Sequence, residues 1–193
     1  FLSRLFSISA TAYINNLDNL ITSKQVALTE TDIANSITKR MEYQNVDKAR
    51  VKGVDISINS YLGYGISLGG SYSFADAKDT NTDSRLPRSI KHSGSINSNW
   101  NKVWGFYTLN VNLAGRLQSE RFETGTYGNA PGYQLWNLST RHTFNNLANF
   151  ILEPGIGIEN IFNYRDDRPY NSNYATLSPG RTFYVSLLLK FRK

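Results

Sequence analysis

Ile66-Ser67-Leu68-Gly69-Gly70-Ser71-Tyr72-Ser73-Phe74 places Ser or Gly at every odd position and Ile, Leu, Tyr or Phe at the even ones, broken only by Gly70. A strand turns successive side chains to opposite faces, so this period of two puts one greasy and one polar row on a single ribbon. A helix would scatter the same residues around its axis. The composition of the polar row carries more information than its existence. A soluble β-sandwich turns Lys, Glu and Arg outward, whereas small uncharged Ser, Asn, Thr and Gly suit a crowded aqueous interior.

The pattern recurs on both sides of that stretch. Upstream, Phe6, Ile8, Ala10, Ala12 and Ile14 form one row, and Val54, Ile56 and Ile58 another. Downstream come Tyr107, Leu109, Val111 and Leu113, then Trp136, Leu138 and Phe144, then Phe150, Leu152, Ile156 and Ile158. The last row is Phe183, Val185, Leu187, Leu189 and Phe191, and a weaker one covers 89–100. About eight strands of roughly ten residues result, the length a tilted membrane strand requires. No apolar run approaches the roughly 18 residues of a membrane helix.

Loop lengths sort by side. Short connections at 62–65, 101–103 and 145–149 alternate with long polar ones at 15–44, 76–88, 118–132 and 162–179. Pro87, Pro131, Pro169 and Pro179 fall in the long ones. Outer-membrane barrels have short turns on one side and long loops on the other, an asymmetry a sandwich has no reason to adopt. Aromatics frame each short turn: Tyr61 and Tyr64, Trp100 and Trp104, Phe144 and Phe150. Amphipathic rings favour the boundary between hydrocarbon and water, which gives barrels their girdles. Pro154, which has no N–H to give a ladder, predicts a bulge or a late strand start inside its row.

Composition narrows the remaining classes. The mean hydropathy of −0.41 is that of a soluble protein, yet alternating rows cancel in any average. With no cysteine, disulfide frameworks and thiolate metal sites are ruled out. The net charge of +6 is spread along the chain, without a basic arm or any nucleic-acid motif. Lys48, Arg50 and Lys52 alternate on one probable strand and read as a wet face. His92 and His142 stand singly on strands and read as packed or interfacial side chains. No phosphate loop, nucleophile elbow or zinc spacing occurs. The chain is therefore expected not to be an enzyme and to carry no metal or cofactor. It opens mid-pattern at Phe1-Leu2-Ser3-Arg4-Leu5-Phe6, as a portion of a longer protein would.

Specific motifs then converge. Gly180-Arg181 followed by Thr182-Phe183-Tyr184-Val185-Ser186-Leu187-Leu188-Leu189-Lys190-Phe191 resembles the closing strand of TonB-dependent receptors. Gly157-Ile158-Glu159-Asn160-Ile161-Phe162-Asn163-Tyr164 resembles their penultimate strand. Asn45 to Asp55, with Gly53-Val54-Asp55 where Gly-Val-Glu is commoner, Tyr72-Ser73-Phe74-Ala75-Asp76-Ala77 before Leu86-Pro87-Arg88, and Tyr13-Ile14-Asn15-Asn16-Leu17-Asp18-Asn19-Leu20-Ile21 at a strand-to-loop transition continue the likeness in family order. Arg192 and Lys193 follow the expected terminal aromatic and depart from the pattern.

The resemblance implies an all-β, antiparallel transmembrane barrel in the outer membrane of a Gram-negative bacterium, residues 1–193 being about eight C-terminal strands. The plug and the TonB-interacting segment would lie outside this chain. Function would be TonB-dependent import of a scarce ligand such as a siderophore, haem or cobalamin. Partners would be membrane lipid, the plug with the remaining strands, TonB through that plug and a small-molecule cargo, but not nucleic acid. Phe183, Val185, Leu187, Leu189 and Phe191 would form the assembly strand. A ligand is expected where loop aromatics and charges converge: Arg121, Phe122 and Tyr127 from one loop, and Arg165, Asp167, Arg168, Tyr170 and Tyr174 from another. Such groups stack on and ion-pair with an anionic cargo. Two alternatives stand beside this: an autonomous eight-stranded outer-membrane barrel with a structural or adhesion role, and a soluble β-sandwich binding module.

Overall fold

The computed structural model describes residues 5–123, 128–147, 149–166 and 179–191. Eight antiparallel strands form one sheet in sequence order. They are β1 (Phe6–Val26), β2 (Arg40–Gly63), β3 (Ile66–Asp79), β4 (His92–Trp104), β5 (Tyr107–Gln118), β6 (Tyr133–Leu147), β7 (Phe150–Glu159) and β8 (Thr182–Phe191). The single helix among the described residues, α1 (Glu30–Ala34), caps the β1–β2 hairpin.

Register converts the alternation into two faces. One row crosses the whole sheet as Phe6, Ser60, Leu68, Ser98, Leu113, Leu138, Ile158 and Phe183. The row beside it, on the opposite face, runs Ser7, Asn59, Gly69, Asn97, Ala114 and Asn137. Among the described residues none covers the apolar face. Among the described residues the buried hydrophobics are Ala49 and Ala130 alone, while Val185 is 81% and Phe191 78% exposed. A sandwich would bury these rows against a second sheet. One sheet with an uncovered greasy face instead matches a barrel wall whose solvent on that side is lipid.

The sheet is open. β1 pairs with β2, β8 pairs with β7, and the two are at opposite ends of the strand order. An autonomous eight-stranded barrel needs β1 hydrogen-bonded to β8, because closure is what removes edges. This sheet is a segment of a larger wall.

Short turns lie on one side, as the loop pattern predicts, with one shift. The β2–β3 hairpin closes through Tyr64 (φ 53°) and Gly65 (φ 83°), two positive-φ residues between Gly63↔Ile66, as a primed two-residue turn requires. The β4–β5 turn is Gly105-Phe106 between Trp104↔Tyr107, not 101–103. Gly105 at φ 57° supplies the unusual backbone, and Asn101 and Lys102 remain in register with Asn110 and Leu109.

A larger difference is at 15–44, expected as loop. β1 and β2 stay paired to Val26↔Arg40, leaving only a tip around α1. Above the membrane both faces of a hairpin are wet, so the ladder continues without an apolar alternation to announce it. At the tip, Thr29 and Asp32 form a capping box, with the Thr29 backbone N–H donating to Asp32 Oδ2 at 2.8 Å and its hydroxyl at 2.7 Å. Arg40 adds an ion pair at 3.2 Å. The Thr29 side-chain bond first, then its backbone N–H, holds the Asp32 carboxyl below the ordinary carboxylate range.

Pro154 sits inside β7, opposite Leu187 of β8. Pairing with β6 skips His142 and Thr143, between Arg141↔Gly155 and Phe144↔Leu152, which is where the missing N–H falls. The irregularity in that pair of strands is nearer the turn, between Phe144 and Leu147.

Candidate ligand loops and lumen wall

The polar face is a wall of short hydrogen-bonding side chains tied across strands. Ser71 and Ser95 hydroxyls meet at 2.7 Å, Ser73 donates to Asp55 at 2.5 Å, and Asn99 and Asn110 exchange amide bonds at 3.2 Å. Lys190 and Glu153 pair at 2.7 Å. A concavity of about 570 Å³ opens over this wall, lined by Ser9, Thr11, Asp55, Ser73, Ser93 and Arg116 among others. Groups of this kind bind water, amides and oxygen-rich ligands.

The aromatics of the short-turn side gather on the apolar face. Trp100 and Trp104 meet edge-to-face at 6.3 Å, and Trp104 stacks on Tyr107 at 5.8 Å. Trp100 Nε1 donates to the Tyr64 carbonyl at 3.2 Å. Tyr61, counted with this girdle from sequence, is opposite Ser67 on the polar side instead. The histidines join the same face, each hydrogen-bonded at 2.7 Å to a tyrosine: His92 Nδ1 with Tyr72, His142 Nδ1 with Tyr107. His92 is at the long-loop end of β4 and Trp104 at its turn end. The strand between them spans about 40 Å, or about 30 Å once tilted, matching the height of an outer-membrane apolar band with its girdles.

Two long loops interlock. The Ile90–Arg121 bridge joins the β3–β4 loop to the β5–β6 loop, the Arg88 N–H donates to the Phe122 carbonyl at 2.7 Å, and the Phe122 N–H donates to Ser89 at 2.9 Å. Arg85 lies over the Phe122 ring at 5.5 Å and bonds the Ser89 carbonyl at 3.2 Å. Glu120 stands 3.7 Å from it. Of the residues expected to hold ligand, Arg121 turns to Glu123, whose carboxylate is buried 2.8 Å from Arg121 Nε. The Glu123 N–H is in turn accepted by Asn129 at 3.1 Å. Phe122 therefore meets Arg85, which sequence reading passed over; a single Arg in a Ser/Thr/Asp-rich loop has no periodicity to mark it.

Arg165 belongs to a separate cluster. It is exposed and lies over Gly180, where a β-carbon would fall 2.8 Å from its Nε. The asparagines of Asn160-Ile161-Phe162-Asn163 shape this corner. Asn160 exchanges two 2.8 Å bonds with the Tyr164 backbone and takes Asn137 Oδ1 on its own N–H at 2.9 Å. Asn163 accepts the Arg181 N–H at 2.9 Å. Tyr127, Asp167, Arg168, Tyr170 and Tyr174 are outside the described residues. Phe183, Val185, Leu187, Leu189 and Phe191 share the apolar face of β8, against Ile158, Ile156, Pro154, Leu152 and Phe150 of β7.

An open antiparallel wall, greasy outside and hydroxyl-lined inside, defines a segment of a large transmembrane β-barrel. Residues 1–163 match the family described as TonB dependent receptor-like, beta-barrel. The chain belongs to that family. Solved structures repeat the fold. The ferric preacinetobactin receptor BauA of Acinetobacter baumannii superposes with TM-score 0.68 at 16% identity over 95% of this chain. The copper transporter OprC gives 0.72 at 14% over 99%. A mutant of the ferric enterobactin receptor PfeA of Pseudomonas aeruginosa gives 0.64 at 20% over 97%. This chain spans 27%, 29% and 29% of those three chains respectively, less than a third of each. They are receptors and transporters, and the family is one of the Gram-negative outer membrane.

Proposed function

We propose that this chain is the C-terminal wall of an outer-membrane receptor that imports a scarce small molecule, a metal chelate or similar, at the expense of energy delivered through TonB. Membership of the receptor barrel family over residues 1–163 carries the reading. In it, the apolar face meets lipid, the hydroxyl and amide wall faces a plug contributed by the rest of the protein, and the long loops meet cargo. Residues 1–193 form one barrel segment rather than a separate domain, and β8 serves as the assembly strand. None of these roles requires bond chemistry.

The cargo contacts we assign are Phe122 with Arg121 and Tyr127, and Arg165 with Asp167, Arg168, Tyr170 and Tyr174. Aromatic faces and guanidinium forks together suit a flat, anionic ligand. Neighbouring structures whose names specify ferric siderophores or copper make a metal chelate the first cargo to test. The experiment is uptake of radiolabelled ferric siderophores by cells making the full-length protein, with and without TonB. Uptake lost on TonB deletion supports the reading, and uptake indifferent to TonB overturns it. R165A/R168A is expected to weaken cargo affinity by about tenfold or more, as loss of two charge-assisted contacts should. Unchanged affinity removes those residues from the site.

A further inference from the structure

The β3–β4 connection (80–91) runs as a crossbeam between two parts of the wall. At its start it folds back on β3: the Asp79 N–H donates to the Ser84 carbonyl and the Leu86 N–H to the Ala77 carbonyl, both at 2.9 Å. Past Pro87 it changes partner. Arg88 takes φ 62°, a left-handed backbone that residues other than glycine rarely adopt, and its N–H reaches the Phe122 carbonyl. From there Ile90 bridges Arg121, and Arg121 bridges Ala130 on the far side of the β5–β6 connection. His92 completes the join: its N–H donates to Ser119 Oγ at 3.0 Å, and its carbonyl accepts the Ser119 N–H at 2.8 Å. Short segments of both loops thus pair as a small sheet standing on the rim.

Arg85 spans the junction. Its Nε donates to Ser89 Oγ and its Nη2 to the Ser89 carbonyl, both at 3.2 Å. Its Nη1 stands 3.7 Å from the Glu120 carboxylate, and the guanidinium covers the Phe122 ring at 5.5 Å. Ser89 belongs to the same loop as Arg85, whereas Glu120 and Phe122 belong to the other. Only 22% of the Arg85 side chain is exposed, and all three of its nitrogens face protein groups, so it has little left to offer cargo. Lysine would not fill this position. A planar fork lies over a ring while bonding in its own plane, and a point ammonium does one or the other.

We infer that Arg85 is a positioning residue of the cargo site: it fastens the β3–β4 loop to the β5–β6 loop, so that Phe122 is presented on one rigid jaw assembled before cargo arrives. The inference rests on the receptor reading proposed above and on the assignment of Phe122 to cargo. Loops on a rim bury little and exchange freely when nothing ties them. A jaw already ordered spends no ordering entropy at the moment of binding, which raises affinity. Loss of the pin lowers the fraction of molecules ready to bind, so association slows by that fraction while dissociation is unchanged. Loss of a direct cargo contact acts the other way, on dissociation.

Hydrogen exchange on the full-length protein in detergent tests the fastening without any ligand. The decisive amides are Arg121 and Ala130, which donate to each other's carbonyls at 2.9 Å within the β5–β6 loop. In R85A their protection should fall about tenfold or more, together with that of Arg88 and Phe122, while the amides of β5 stay as in the parent. R85K should match R85A, because charge alone does not fasten the loops. Arg121 and Ala130 as protected in R85A as in the parent would show two independent loops and overturn the inference. Binding of radiolabelled ferric enterobactin to cells making the full-length protein adds a kinetic arm. R85A should slow association by about the same factor as the loss of protection and leave dissociation unchanged. Faster dissociation at unchanged association would make Arg85 a cargo contact and overturn the positioning role. A parent without TonB-dependent uptake of ferric siderophores sinks the receptor reading instead, and the exchange data still decide whether the loops are fastened.

Discussion

The indole of Trp136 occupies the space that a side chain on Gly115 would need. The two are register partners on β6 and β5, and an ideal β-carbon on Gly115 would fall 2.7 Å from Cζ3 and 2.8 Å from Cε3 of the ring. Tyr13 lies over Gly53 and Tyr184 over Gly157 in the same way, each pair facing across a strand boundary. A ring laid over a bare backbone shields its hydrogen bonds and fixes register. G115V should force the indole out and cost about 1–3 kcal/mol, the usual penalty for overpacking. Urea unfolding of the reconstituted protein measures this, and G115V/W136A should recover part of the loss.

Arg121 and Glu123 make a second test, because one arginine has been given two roles. R121A strands the buried Glu123 carboxylate and should destabilise the β5–β6 loop by about 2 kcal/mol, less than for a fully buried pair since Arg121 is partly exposed. Limited proteolysis would register that loss. In R121A/E123L an apolar side chain replaces the stranded charge, so protease resistance should return. If cargo affinity returns with it, Arg121 acts through loop shape; if affinity stays low, the guanidinium touches cargo.

Asp32 predicts a pH response at the hairpin tip. Its folded-state carboxyl titrates below its unfolded value, so its contribution is present above the unfolded pKa and fades as pH falls through the folded one. The exchange protection factors of Ile33 and Asn35, whose amides bond Thr29 and Thr31 carbonyls at 3.1 Å, should therefore fall in acid below the ordinary carboxylate range. D32N should abolish that acid dependence while leaving the sheet amides unaffected.

Strand faces were legible because a barrel wall is sorted twice, by lipid outside and water inside. Ile66, Leu68, Tyr72 and Phe74 alternate only because each choice meets a different solvent. The extension of β1 and β2 past Ile14 was illegible for the converse reason: beyond the hydrocarbon no lipid selects an apolar row on either face of the ladder. The β4–β5 turn was misplaced because Asn101 and Lys102 are polar in a strand. Asn101 faces the lumen and Lys102 sits at the edge of the hydrocarbon, so polarity there reports depth rather than chain reversal. The candidate cargo residues were chosen by chemistry alone, which had no means of seeing Glu123 claim Arg121 or Arg85 arrive over Phe122 from another loop. Such contacts depend on how loops cross.

The paired β1–β2 ladder continues about twelve residues beyond Ile14, which at about 3.3 Å per residue and barrel tilt lifts the capped tip roughly 30 Å above the lipid. The paired hairpin is the longest ladder among the described residues and carries its tip outward like a mast. Among the described residues Glu30–Ala34 stands farthest from the apolar band, so a peptide tag spliced there is expected to be readable on living cells.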